Sequence, residues 1–86
     1  MIIPVEISKY DQHRGIKYLW EAEFTISTEV TSEGFVIRAN KAGLQSLARQ
    51  ILTLAQDDAP IGSHFHYDEY NSLEEGSCEL VIAKTE

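Results

Sequence analysis

The sequence predicts one α+β domain: an antiparallel β-sheet of about five strands with a single α-helix packed on one face. Three observations carry this expectation. Residues 16–27 alternate apolar and polar side chains along their whole length, residues 44–55 repeat apolar side chains at spacings of three and four, and residues 61–84 read as two more alternating runs joined by an acidic loop. Period two puts one side of a strand in a core, and spacings of three and four do the same for a helix. No linker or internal repeat divides the chain, so the domain is expected to cover residues 1–86.

Taken in order, residues 2–8 form a short strand candidate with Ile3, Val5 and Ile7 on one face. Pro4 cannot donate to a ladder, which makes it an edge strand. Residues 10–15 are a polar turn closed by Gly15. Residues 16–27 carry the clearest alternation, with Ile16, Tyr18, Trp20, Ala22, Phe24 and Ile26 sharing one face. Residues 28–34 read as a loop, and residues 35–39 as a third strand. Asn40 then caps a helix that runs to Gln56, because its side-chain oxygen can accept from the free N–H groups of the first turn. The helix stripe of Leu44, Leu47, Ala48, Ile51, Leu54 and Ala55 is expected to face the sheet, with Gln45, Ser46, Arg49, Gln50 and Thr53 on the far side. Gly43 near the helix start marks close packing against a strand, and Pro60 ends the helix region. Residues 63–68 and 78–84 complete the sheet.

By parity the buried sheet face should hold Trp20, Phe24, Ile37, Phe65, Tyr67, Leu80 and Ile82. The open face should hold Leu19, Glu21, Glu23, Arg38, His64, His66, Asp68, Glu79 and Val81. The connection between the last two strands is roughly eight residues, long for a hairpin, and surplus loop length more often serves function than structure.

Composition narrows the function. An apolar fraction of 43% and a charged fraction of 24% suit a globular domain of 86 residues, which has room for one thin core and little for a deep cleft. No apolar run approaches the roughly 20 residues needed to cross a bilayer. The first five residues lack the basic start and long apolar region of a secretion signal, and the lone Cys78 cannot form an internal disulfide. Both point to the cytoplasm. The net charge is −7, and its placement matters more than its size. Residues 1–56 balance six acids (Glu6, Asp11, Glu21, Glu23, Glu29, Glu33) with six bases (Lys9, Arg14, Lys17, Arg38, Lys41, Arg49). Residues 57–86 set eight acids (Asp57, Asp58, Asp68, Glu69, Glu74, Glu75, Glu79, Glu86) against Lys84 alone, so the whole imbalance lies there. Such a field repels nucleic acid and anionic membranes and draws in a basic partner.

Catalysis finds little support. Cys78 falls on the core face, where a thiol behaves as a small hydrophobe. No nucleophile, base and acid stand in a recognisable order, no Gly-rich phosphate loop follows a strand, and no cofactor is implied. The one constellation with ligand chemistry is His64, His66 and Asp68 on a single strand face, the basis of an alternative reading as a small metal-binding enzyme or sensor. Alternate residues of a strand lie about 7 Å apart, so a metal there needs convergence and a further ligand such as Glu79 or Glu21.

Three segments in order carry a resemblance. Asn40-Lys41-x-Gly43-Leu44-x-Ser46-Leu47-Ala48 is followed by Gly62-Ser63-His64-x-His66-x-Asp68-Glu69, then by Ser72-Leu73-Glu74-Glu75-Gly76-Ser77-x-Glu79-Leu80-x-Ile82. Together they resemble the immunity protein 32 family of small bacterial proteins, over about half the chain, residues 39–84. The resemblance implies a non-enzymatic protein that binds and neutralises the toxin of a competing cell, as in contact-dependent or polymorphic toxin systems. Combined with the charge pattern, the expected partner is a basic, nuclease-type toxin domain. The expected contact residues are the loop acids Asp68, Glu69, Glu74 and Glu75, with Asn71 among them and Tyr70 and Leu73 as anchors. His64 and His66, which the resemblance shares, and Asp57 and Asp58 at the helix end complete the set. A homodimer through a strand edge is compatible with either reading.

Overall fold

The computed structural model describes residues 2, 4–13 and 15–86. The expected strand position of Ile3 and turn position of Arg14 lie outside the described residues. The elements are β1 (Ile26–Thr31), β2 (Gly34–Ala39), α1 (Lys41–Leu54), β3 (His64–Tyr67) and β4 (Leu80–Ala83). Among the described residues the fold is α+β with one helix, as expected, but the single five-stranded sheet is replaced by two antiparallel hairpins, β1–β2 and β3–β4. The described residues of 2–8 form no strand, and residues 28–31, expected as a loop, belong to β1. Ser32 and Glu33 make the turn between β1 and β2, and Gly34 leaves it with φ +128°, a value L side chains rarely adopt.

The long alternating segment enters β1 only at Ile26, because the chain turns at Ala22-Glu23, where Glu23 takes a φ of 61°. That turn stacks Trp20 on Phe24 with ring centroids 4.3 Å apart, a contact that two residues four apart on a strand cannot make. Its backbone groups find side-chain partners instead of a ladder. Glu21 N–H donates to Ser46 Oγ (2.8 Å), Gln50 Nε2 donates to the Leu19 carbonyl (3.0 Å), and Asn40 Oδ1 accepts from Thr25 N–H (3.0 Å). Further back, Gln56 Nε2 donates to the Ser8 carbonyl (2.6 Å) and its Oε1 accepts from Tyr10 N–H (3.1 Å).

This explains the rotation of α1. Asn40 caps it as expected, accepting from Gly43 N–H at 2.8 Å. The buried side, however, is Gly43, Ser46, Leu47, Gln50, Thr53 and Leu54. Leu44 (56% exposed) and Ile51 (48%) of the expected stripe point outward with Ala48 and Ala55, while Leu47 and Leu54 are buried. A pure apolar stripe would leave the N-terminal arm's amides without partners, and buried polar backbone is costly. The close approach at Gly43 is as expected: a Cβ there would stand 2.4 Å from the Thr25 carbonyl oxygen and 3.0 Å from Ala39 Cβ.

The core gathers Ile26, Leu47, Leu54, Phe65, Tyr67 and Leu73, with Ile16, Trp20, Phe24, Leu80 and Ile82 packed around it. Parity is right for β3 and β4, where Phe65 and Tyr67 are fully buried and Val81 faces out. It fails for Ile37, expected in the core but 41% exposed, although its cross-strand partner Thr28 is only 3% exposed.

Candidate functional site

The loop between β3 and β4 is built on Asp68. Its Oδ1 accepts from Tyr70 N–H (2.9 Å) and Asn71 N–H (3.0 Å), and its carbonyl accepts from Leu73 N–H (2.8 Å). Asn71 answers in kind: its Oδ1 accepts from Asp68 N–H and its Nδ2 donates to the His66 carbonyl (2.9 Å). These are the local side-chain to backbone bonds for which Asp and Asn are selected in turns. Leu73, expected as a surface anchor, is 4% exposed and belongs to the core. It plugs the loop onto the body of the protein, which is a structural part and not a contact surface.

Beyond Leu73 the loop lies along the outer edge of β1. Glu74 N–H donates to the Ile26 carbonyl (2.8 Å) and Cys78 N–H to the Thr28 carbonyl (3.3 Å), while Thr28 N–H donates to Ser77 Oγ (3.1 Å). Glu69 Oε2 accepts from Gly76 N–H (2.8 Å), closing the loop on itself. Tyr70 therefore stands on a backbone held by these bonds and is 94% exposed, and Glu69, Glu74 and Glu75 of the same loop are exposed as well. Asp57 and Asp58 are exposed at the end of α1. Lys84, the only base in residues 57–86, donates through Nζ to the carbonyls of Gln56 (2.5 Å) and Ala59 (2.7 Å). It thus complements the negative end of α1 and stays clear of the loop acids.

The histidines separate. His64 Nδ1 lies 3.1 Å from the Gly62 carbonyl, a local contact, and among the described residues His64 joins no ligand cluster. His66 sits between two carboxylates, with Nδ1 3.8 Å from Asp68 and Nε2 3.4 Å from Glu79. Donor atoms of His66, Asp68 and Glu79 all lie within 4.8 Å of one another. The set His64, His66 and Asp68 is therefore not what the fold assembles. Of the two supplementary ligands considered, Glu79 arrives, whereas Glu21 pairs with Arg49 at 2.6 Å.

Sequence reasoning missed one surface. Val30, Phe35 and Ile37 form an exposed apolar face on the β1–β2 hairpin, Val30 and Phe35 being cross-strand partners. The signal was present: two alternating runs, Ile26-x-Thr28-x-Val30 and Phe35-x-Ile37-x-Ala39, flank a short turn ending in glycine.

A family model described as Immunity protein 32 matches residues 35–85, which span β2, α1, β3, the loop and β4. No curated protein and no solved structure matches the chain. Among the described residues, no helix is long and apolar enough to cross a membrane.

Proposed function

This chain belongs to the immunity protein 32 family, and we propose that it neutralises a basic, nuclease-type toxin domain by binding it through the loop between β3 and β4. The family implies a toxin as the partner. Binding without catalysis, in the cytoplasm of a bacterium that uses contact-dependent or polymorphic toxins, completes the reading. The observation that carries it is the exposed Tyr70 on a self-bonded loop that also exposes Glu69, Glu74 and Glu75. An aromatic ring on a rigid backbone gives contact area with little entropy lost on binding, which is the character of an interface hot spot. A nuclease site must be basic to hold phosphates, so carboxylates can occupy or shield it.

The experiment is kinetic. Glu74→Lys with Glu75→Lys should slow association with the toxin domain about tenfold or more, since charge acts mainly on encounter. Tyr70→Ala should instead speed dissociation. Asp68 is left intact in both, because its loss would unmake the loop. Full protection of toxin-exposed cells by a variant combining Tyr70→Ala, Glu74→Lys and Glu75→Lys would remove this loop as the inhibitory surface.

A further inference from the structure

The β1–β2 hairpin has two outer edges, and the fold treats them differently. Along β1 the backbone groups of Ile26 and Thr28 turn away from β2 and are taken by the loop at Glu74, Ser77 and Cys78. In an antiparallel ladder, a residue whose groups turn away from the neighbouring strand faces a partner that does the same. The partners of Ile26, Thr28 and Val30 are Ala39, Ile37 and Phe35. These three present N–H and C=O on the outer edge of β2, where no strand pairs among the described residues. Exposed edges are ordinarily blunted by proline, lysine, a bulge or extreme shortness. β2 has six residues, an unbroken register, no proline and no lysine. Its one charge, Arg38, is held by Glu29 on the face opposite Val30, Phe35 and Ile37.

We infer that this edge joins a second copy of the chain, the two β2 strands running antiparallel about a two-fold axis to make one four-stranded sheet. Charge selects the occupant. A basic partner calls for several free acids beside the edge, yet the only acid within β1 and β2 is Glu29, already paired with Arg38, and the turn between them adds Glu33 alone. A second copy sets a neutral apolar edge against its like. In the register centred on Ile37, Phe35 lies beside the partner's Ala39, large against small. The acidic loops then lie outside the two β1 strands, five strand spacings of about 4.8 Å apart, or roughly 24 Å. That is about three screening lengths at physiological salt, so their repulsion does not oppose the pairing. Both Tyr70 rings remain free.

The test is sedimentation velocity on the full chain alone, with rising concentration. The wild type should approach twice 9.7 kDa at high-micromolar concentration. Ile37→Lys and the milder Phe35→Thr should hold the mass at 9.7 kDa with an unchanged circular dichroism spectrum. Glu74→Lys with Glu75→Lys should dimerise like the wild type. A wild type that stays monomeric overturns the inference, as does a dimer indifferent to the β2 variants. If the wild type is itself monomeric and Phe35→Thr loses toxin binding, the edge belongs to the toxin and the inference is overturned as well. No toxin enters the mass measurement, so failure of the loop reading leaves this result standing.

Discussion

At the centre of the molecule Tyr67 O–H donates to Gln50 Oε1 (2.6 Å), and Gln50 Nε2 donates to the Leu19 carbonyl, so one side-chain pair ties β3, α1 and the N-terminal arm together. Burial pushes the Tyr67 hydroxyl well above the ordinary tyrosine value, and the neighbouring Tyr18 adds to the effect. In the unfolded chain this group ionises above about pH 10, whereas in the fold it keeps its proton. The stabilisation is therefore complete below that pH and falls as pH rises beyond it, by up to about 1.4 kcal/mol per pH unit. Tyr67→Phe should cost about 1–3 kcal/mol at neutral pH by leaving Gln50 Oε1 without its donor. It should also show a shallower alkaline decline than the wild type. Urea unfolding at neutral pH and near pH 11 measures both effects, and parallel declines in the two proteins would contradict the assignment.

The helix shows what a single element keeps and loses between sequence and fold. Leu47 and Leu54 are buried while Leu44 and Ile51 face out, so Leu47→Ala should cost about 2–5 kcal/mol. Ile51→Ala should cost under about 1 kcal/mol, the scale of surface substitutions. Equal losses at the two sites in chemical denaturation would restore the all-apolar face. Gly43→Ala gains about 1 kcal/mol of helix propensity, but its Cβ would meet the Thr25 carbonyl oxygen at 2.4 Å. The net effect should be destabilising, with a lower thermal midpoint. The sequence made the helix, its Asn40 cap and the close approach at Gly43 legible because each is a local property. It also made the inward faces of β3 and β4 legible through alternation. The rotation of α1 was not legible, since it depends on backbone groups of residues 8–25 that hydrogen-bond to the side chains of Ser46, Gln50 and Gln56 in place of a strand ladder. Nor was the failure of residues 16–25 to join a sheet, because period-two alternation survives in an extended segment that packs its rings inward without pairing. In the candidate site, Tyr70 and the glutamates were readable as exposed loop residues, whereas Leu73 was not readable as the plug that fixes the loop, because burial of a loop leucine is a tertiary event.

At the scale of the whole molecule, charge and apolar surface are segregated. The unbalanced acids lie in residues 57–86, while β1 and β2 carry one internally paired acid and base beside exposed Val30, Phe35 and Ile37. The two proposed associations should therefore answer salt in different ways. Association with a basic toxin domain relies on steering by the loop acids, which added salt screens beyond about 8 Å at physiological ionic strength. Raising salt from low to several times physiological should slow that encounter by about tenfold or more, with the off-rate little changed because Tyr70 acts through contact and not through charge. Dimerisation through β2 buries apolar side chains and backbone hydrogen bonds between neutral edges, so its equilibrium should hold or strengthen slightly over the same range. Stopped-flow mixing reads the first response and sedimentation the second. If both associations weaken together with salt, the acids act at both surfaces and the segregation has no functional meaning. If neither responds, the acidic end does not steer, and Tyr70 alone would have to account for recognition.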